Sequence, residues 1–203
     1  MSLAERTFPL LYGLVTAPAE RGWLGRRRAH LLRYATGTVV EIGAGLGASL
    51  PYYRNAERVV ATEPSRFMRA RLSPERAVVP VEVVAAPAEA LPLARQTADT
   101  AVSVCVLCTV ANVEVSLAEL RRVLRPGGQL LFLEHVRGTG RVGRVQDRLD
   151  PIWCRVAAGC HLNRQTMPAI EAAGFRIEQL DRFAPPLPGG GLMPMIQGVA
   201  RID

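Results

Sequence analysis

Three glycines at alternate positions, Gly43, Gly45 and Gly47, close the apolar run Val39-Val-Glu-Ile42, in which Glu41 is the one charged residue. Val39, Val40 and Ile42 suit a buried strand, and the glycines suit a tight turn in which a ligand can lie against bare backbone. In α/β sheets such a turn sits at the carboxyl end of a strand, where ligands bind. Further on, Glu63 closes a second strand-like run, Arg58-Val-Val-Ala-Thr-Glu63. A carboxylate at that offset accepts hydrogen bonds from ribose hydroxyls. The two segments together predict a cofactor that contains a nucleoside. Gly43, Gly45 and Ala48 also satisfy the dinucleotide pattern G-x-G-x-x-G/A, so this spacing alone leaves NAD open.

A second set of residues could move protons or hold ions. His135 follows an apolar run from Gln129, and an imidazole of ordinary pKa about 6.5 can take a proton from a thiol or a phenol. It is the expected catalytic side chain. Cys105 and Cys108 have the C-x-x-C spacing that elsewhere marks zinc or a redox pair, and Cys160-His161 could complete a metal site. Against this, the first pair ends an apolar strand, and free cysteines commonly bury as small hydrophobes. No metal site is expected.

These residues need a scaffold. Helical spacing runs from about Leu24 to Tyr34, and strands are expected over Thr38 to Ile42, Arg58 to Thr62, Val78 to Ala85, Thr100 to Leu107 and Gln129 to Val136. A helix is expected from Gly47 to about Arg54, and Ser65 can cap another that carries Met68 and Leu72. Val113, Leu117, Leu120 and Leu124 share one helical face, which Pro126-Gly-Gly should end. Gly140 to Ala173 reads as helical, broken near Pro151 and Cys160, and Phe175 to Phe183 and Met195 to Arg201 read as the last strands. Strands alternating with helices imply a parallel sheet covered on both faces. Pro185-Pro-Leu-Pro-Gly-Gly-Gly191 reads as a loop. At 203 residues, with neither an internal repeat nor a linker, the chain is expected to form one domain.

Composition excludes several classes. Every one of the 25 basic residues is arginine, and without lysine neither a Walker-type phosphate loop nor a Schiff-base mechanism is available. The net charge of +7 could suit nucleic acid or an acidic membrane. The arginines are dispersed, however, and the one run, Arg26-Arg-Arg28, reads as a solvated helix face. Phe8 to Val15 is the only candidate for a membrane segment. It contains Pro9 and Gly13 and falls well short of the roughly twenty apolar residues a span requires, so no transmembrane anchor is expected. No signal peptide is legible either, which makes the cytoplasm the expected location.

The segment Ala118-Glu-Leu-Arg-Arg-Val-Leu-Arg-Pro-Gly-Gly-Gln-Leu-Leu-Phe-Leu-Glu-His135 runs from helix through a Pro-Gly-Gly turn into a strand. With Ala88-Glu89-Ala-Leu-Pro92, the glycine turn and Glu63, it resembles the class I S-adenosylmethionine-dependent methyltransferases, over residues 37–136 and in the family's order. Val106-Leu-Cys108-Thr-Val-Ala-Asn112, Leu133-Glu-His135, Gly159-Cys-His-Leu-Asn-Arg164 and Pro194-Met-Ile-Gln-Gly-Val-Ala200 resemble the thiol S-methyltransferase branch. The chain departs from that branch at its start, where the animal proteins carry a hydrophobic anchoring segment.

The resemblance implies a three-layer Rossmann-like fold whose seven-stranded, mostly parallel sheet ends in an antiparallel strand. It divides the domain into N-terminal helices that form a lid (1–36), a cofactor-binding core (37–136), an acceptor-side insert (137–173) and C-terminal strands (174–203). It implies S-adenosylmethionine as cofactor, with S-adenosylhomocysteine as product. Gly43, Ala44, Gly45 and Gly47 would wrap the methionine part, and Glu41 would fix the loop or the amino group. Glu63 would hold the ribose, Pro64 and Ser65 would lie beside the adenine, and Ala88 would offer its amide to that ring. Many relatives carry an aspartate before this alanine, where the present chain has Pro87, so that contact falls to Glu89 or is lost. Cys105 and Val106 would line the cofactor site. Trp153, Cys160, His161 and Arg164 would belong to the acceptor pocket, with Phe8, Tyr12 and Trp23 closing it from the other side.

The expected acceptor is a small molecule, a thiol by resemblance. Oxygen of a phenol and carbon of a quinone ring are the alternatives. A nucleic-acid acceptor is not expected, because the strand-four position holds Cys105-Val-Leu-Cys108, not an Asn/Asp-Pro-Pro-aromatic motif, and the chain has no Pro-Cys dipeptide. Two readings of other classes stay open, an NAD-dependent oxidoreductase and a cofactor-binding protein without catalysis. The spacing and composition leave the oligomeric state open.

Overall fold

The computed structural model describes residues 3–186 and 189–203, with the backbone alone for residues 3–6. The expected Pro185–Gly191 loop therefore falls partly outside the described residues. Seven strands form one sheet: β1 (Gly37–Ile42), β2 (Ala56–Thr62), β3 (Val81–Val84), β4 (Ala98–Val104), β5 (Leu124–His135), β6 (Arg176–Phe183) and β7 (Met195–Arg201). Their order is β3-β2-β1-β4-β5-β7-β6. β1 to β5 pair in parallel, and β7 runs antiparallel to both β5 and β6. The reversal is tight. A Cβ on Gly198 of β7 would lie 2.3 Å from the carbonyl oxygen of Gln179 and 2.5 Å from the ring of Phe132, so only glycine fits between these strands.

Helices cover both faces: α1 (Leu3–Arg21), α2 (Trp23–Leu32), α3 (Arg66–Arg69), α4 (Val113–Val123), α5 (Gly140–Val156) and α6 (Thr166–Ala172). The strands' two-residue period divides the core. Leu130 and Phe132 of β5 pack with α4 and α6, whereas Leu131 and Leu133 face the opposite layer, where α2 contributes Leu24, Leu31 and Leu32. That two-sided burial explains why β4 and β5 read as continuous apolar runs.

Several elements differ from expectation. The Gly47–Arg54 segment is not a helix but a turn ending in one short 3-10 piece, Leu50–Tyr52. Gly43, Gly45 and Gly47 all have positive φ, and Pro51 lacks an amide, so regular α-helical bonding has no start. β3 is shorter than Val78 to Ala85, because Pro80 cannot donate to a ladder and Pro87 follows closely. Conversely, α5 runs unbroken through Pro151, and α1 runs through Pro9 and Pro18. Each proline forfeits one helix bond, and in neither helix does the loss outweigh the turns on either side. Ser65 caps α3 as expected, its hydroxyl accepting from the amide of Met68 at 3.3 Å, but Leu72 lies beyond that short helix. The Arg26–Arg28 run is not uniformly solvated. Arg28 is buried and forms a two-point contact with Glu20, with Nη2 to Oε1 at 2.6 Å. Arg27 pairs with Asp181 and stacks on Phe183.

Candidate functional site

The sheet changes direction of growth between β1 and β4, and that crevice is where an α/β sheet binds ligands. The turn after β1 and the loop after β4 meet there. A Cβ on Gly43, whose φ is +57°, would fall 2.7 Å from Val106 Cγ2. Glu63 ties this turn to the end of β2: Oε2 accepts from the Gly45 amide at 2.9 Å and Oε1 from the Ser65 amide at 2.8 Å. Ala44 donates to the carbonyl of Thr62 at 2.9 Å. α1 crosses above, close enough that a Cβ on Gly13 would touch Leu46.

Glu41 points into the layer beneath the turn and is buried. Burial pushes its carboxyl pKa up, opposed by the nearby Ser49 and Tyr53 hydroxyls and by the charge of Arg28. Arg28 also donates to Ser49 at 2.6 Å. One oxygen, Oε2, is left buried without a hydrogen-bond partner among the described residues.

Downstream residues are more committed than the sequence implied. Glu89 Oε1 accepts from the amides of Ala111 at 2.9 Å and Asn112 at 3.2 Å, so it supports the start of α4. Ala88 is buried, Ser65 half-buried and Pro64 exposed. A broad surface groove lined by Arg95, Glu119 and Ala169 lies beside α4 and α6. It contains neither His135 nor the glycine turn, and the arrangement of reactive groups marks the β1–β4 rim as the site instead.

At that rim the cysteines pair differently from their spacing. Cys108 does not pair with Cys105. Its Sγ, Cys160 Sγ and a ring nitrogen of His135 all lie within 4.8 Å of one another, and His135 Nε2 stands 2.7 Å from Cys160 Sγ. The neighbouring Cys108 sulfur, followed by the contact with His135, overcomes burial and holds the Cys160 thiol down to about 4, and Cys108 Sγ also lies 3.5 Å from Thr109 Oγ1. The proximity of Cys160, together with burial, pushes Cys108 well above the ordinary thiol range. Cys160 is the lowered thiol of the pair, and the 2.7 Å contact occupies Nε2 of His135 and leaves Nδ1 as its other ring nitrogen. Nδ1 is buried and has no partner. Cys105 adopts φ +57°, rare for a side chain with a Cβ, and burial pushes its thiol up.

Glu134, the neighbour of His135, lies inside the Leu133-Glu-His135 motif without a role read from the sequence. It is fully buried, and Oε1 accepts from Ser103 Oγ at 2.7 Å and from the amides of Val106 at 3.0 Å and Leu107 at 3.2 Å. Oε2 accepts from the Cys108 amide at 3.3 Å. One carboxylate thus shapes the whole loop after β4. The sequence signal was available: a charge inside an apolar central strand must be satisfied by neighbours.

The expected acceptor-side residues divide. Cys160 joins the His135 cluster, and Trp153 is half-buried with an unpartnered indole nitrogen. His161 Nδ1 contacts Asp150 at 2.8 Å, and its amide donates to the Cys108 carbonyl at 2.8 Å. Arg164 donates to the Val110 carbonyl at 2.7 Å, which makes it a brace for the loop after β4. From the other side α1 brings Tyr12 toward Cys105, with the tyrosine still exposed to solvent. Trp23 packs edge-on against Phe183.

The family profile described as a methyltransferase domain matches residues 40–132. A thiol S-methyltransferase of Homo sapiens is 32% identical over 98% of this chain and 87% of its own length. A second human thiol S-methyltransferase is 33% identical over 80% of this chain and 70% of its own length. The chain belongs to the class I S-adenosylmethionine-dependent methyltransferases, in the thiol S-methyltransferase branch. A methyltransferase structure from Thermotoga maritima matches with a TM-score of 0.73 at 22% identity, covering 98% of both chains. A cyclase also matches with a TM-score of 0.71 at 18% identity, covering 89% of this chain and 80% of its own. The fold alone therefore does not fix the chemistry.

As a methyltransferase of this family the enzyme uses S-adenosylmethionine. The unpartnered Glu41 Oε2 suits a cationic group, the positive-φ glycines present backbone free of side chains, and Glu63 keeps lone pairs beyond those given to Gly45 and Ser65. Among the described residues, no helix of this methyltransferase is long and apolar enough to cross a membrane.

Proposed function

We propose that the enzyme methylates the sulfur of a small-molecule thiol, with His135 as the proton acceptor and Cys160 as the residue that positions it. The arrangement that carries this reading is the His135–Cys160 contact together with the unpartnered Nδ1. Two relatives named as thiol S-methyltransferases support the choice of sulfur. The bound cofactor supplies an electrophilic methyl group on a sulfonium. Glu41 holds its cationic amino end, Gly43, Ala44, Gly45 and Gly47 contour its methionine part, and Glu63 takes the ribose hydroxyls. Pro64, Ser65 and Ala88 flank the base, and Cys105 and Val106 line the floor. On the acceptor side Trp153, His161 and Arg164 shape the entrance.

Little else is needed from the protein, because attack in line with a carbon–sulfur bond is governed by orientation and exclusion of water. The thiolate of Cys160 fixes His135 in the tautomer whose Nδ1 is bare, as a carboxylate orients the histidine of a catalytic triad. Nδ1 then removes the acceptor's proton. Tyr12 and α1 lie over the rim on the side opposite the insert.

The test compares acceptors. A thiol of pKa about 8.5 is already a few per cent thiolate at neutral pH, so His135→Ala should lower thiol methylation modestly and higher pH should partly restore it. With a phenol of pKa about 10 the same change should cost about 10²–10⁴-fold. Radiolabelled methyl transfer to thiols, phenols and amines reads both. A wild-type enzyme that methylates only phenols or quinone carbons refutes the reading. A ubiquinone/menaquinone biosynthesis C-methyltransferase of Syntrophotalea carbinolica, 31% identical over 65% of this chain and 58% of its own length, makes carbon the second acceptor to include.

A further inference from the structure

The methyl-transfer reading uses Cys160 only to orient His135 and gives Cys108 no task, although the fold brings these two sulfurs together from segments 52 residues apart. They differ in access. Cys108 is 1% exposed, whereas Cys160 is half-buried at the rim. The amide of His161 donates to the carbonyl of Cys108 at 2.8 Å, which holds the two backbones side by side, so joining the sulfurs asks for side-chain rotation more than strand movement. Gly159, with φ +85°, and Ala158, with φ +52°, form the turn that presents Cys160. An accessible sulfur beside a basic ring, backed by a buried thiol, is the layout of an attacking and a resolving cysteine.

We propose that Cys160 and Cys108 form a thiol–disulfide exchange pair that acts on low-molecular-weight disulfides, the oxidised counterparts of the enzyme's acceptor. Only the choice of acceptor class rests on the thiol reading above. In the first step Cys160 Sγ attacks one sulfur of R–S–S–R. The Cys160–S–R bond forms, the substrate S–S bond breaks, and one half leaves as RS⁻. In the second, Cys108 gives up its proton and attacks Cys160 Sγ, forming the Cys108–Cys160 bond and expelling the other half. The substrate disulfide gains two electrons and the two cysteines lose them. The net products are RS⁻, RSH with the Cys108 proton, and the protein disulfide. Two reducing thiols regenerate the dithiol and leave as their own disulfide. A stabilised thiolate is a good leaving group, so the protein disulfide should be readily reduced, which suits a turnover site. The stabilisation is the same that lowers the Cys160 thiol.

The experiment treats the reduced full-length chain with hydroxyethyl disulfide in the absence of cofactor, followed by non-reducing peptide mapping. Zinc content before treatment is measured alongside. Wild type should yield a peptide linking Cys108 to Cys160, with Cys105 and Cys154 still free. Cys108→Ser should instead retain the hydroxyethylthio group on Cys160, and Cys160→Ser should give neither product. The wild-type map needs no variant, so a variant that fails to fold does not decide the matter. Persistence of the mixed disulfide in wild type overturns the resolving role, and modification of Cys105 or Cys154 with Cys160 intact overturns the site. Stoichiometric zinc released on treatment assigns the cluster to a metal and overturns the proposal. Methyl transfer to mercaptoethanol, run separately without disulfide, reports on the thiol reading alone.

Discussion

Replacing Glu134 by glutamine tests whether one buried carboxylate organises the site. Four donors converge on it, the Ser103 hydroxyl and the amides of Val106, Leu107 and Cys108. A glutamine keeps one carbonyl oxygen for the first three and turns an NH2 group toward the fourth. Leaving the Cys108 amide unpaired costs about 1–3 kcal/mol. The remaining three bonds change from a charged to a neutral acceptor, at about 0.5–1 kcal/mol each. Relief of the carboxylate's own burial, which pushes its pKa up, offsets part of this, and a net loss of about 2–3 kcal/mol is expected. For a chain of 203 residues that corresponds to a melting temperature lower by roughly 5–10 °C. Thermal unfolding followed by circular dichroism at pH 7 measures it. The loop carries Cys105, Val106 and Cys108, so calorimetric affinity for S-adenosylhomocysteine should fall as well. A melting temperature within about 2 °C of wild type, or above it, would show that desolvation outweighs the four bonds and refute the reasoning.

Three other substitutions or treatments report on separate parts of the site. Glu41→Gln should weaken S-adenosylhomocysteine by about 1.5–3 kcal/mol, the scale of a bond to a charged group; unchanged calorimetric affinity would place the amino group elsewhere. Gly43→Ala places a Cβ 2.7 Å from Val106 Cγ2 at φ +57° and should destabilise by about 1–3 kcal/mol, which a urea titration would contradict by an unmoved midpoint. Iodoacetamide should alkylate Cys160 at a rate nearly flat from about pH 6 to pH 9, whereas an ordinary thiol of pKa about 8.5 gains more than a hundredfold over that range. The groups around Cys160 that could alter this are His135, Cys108 and, beyond them, Cys105 and Glu134. Because the Cys160 value is lowered, the stability it contributes is complete above the ordinary thiol range and fades as pH falls toward 4. A tenfold rise per pH unit at Cys160 would show a neutral thiol there.

The sequence by itself determined the strand–helix alternation, the glycine turn after β1 and the position of His135 at the end of β5. Each of these is local: apolar periodicity selects the strand, positive φ selects glycine, and the carboxyl end of a strand is fixed by chain direction. The family resemblance extended this to the reversed β7, which strand periodicity does not encode. Local signals misled where tertiary packing decides. Pro151 reads as a break yet lies within α5, and Gly47 to Arg54 reads as a helix yet follows three glycines held at positive φ. The partnerships of charged and sulfur-bearing groups were decided by tertiary structure alone. The C-x-x-C spacing of Cys105 and Cys108 carries no sign of Cys160, which the hydrogen bond from His161 to the Cys108 carbonyl sets beside Cys108. Arg28 looked solvated in its run of arginines until α1 supplied Glu20 and the turn supplied Ser49. Glu134 could serve four donors because β4 and β5 lie side by side. A buried charge persists only where the fold brings it partners, and which partners those are depends on distances that no one-dimensional spacing records.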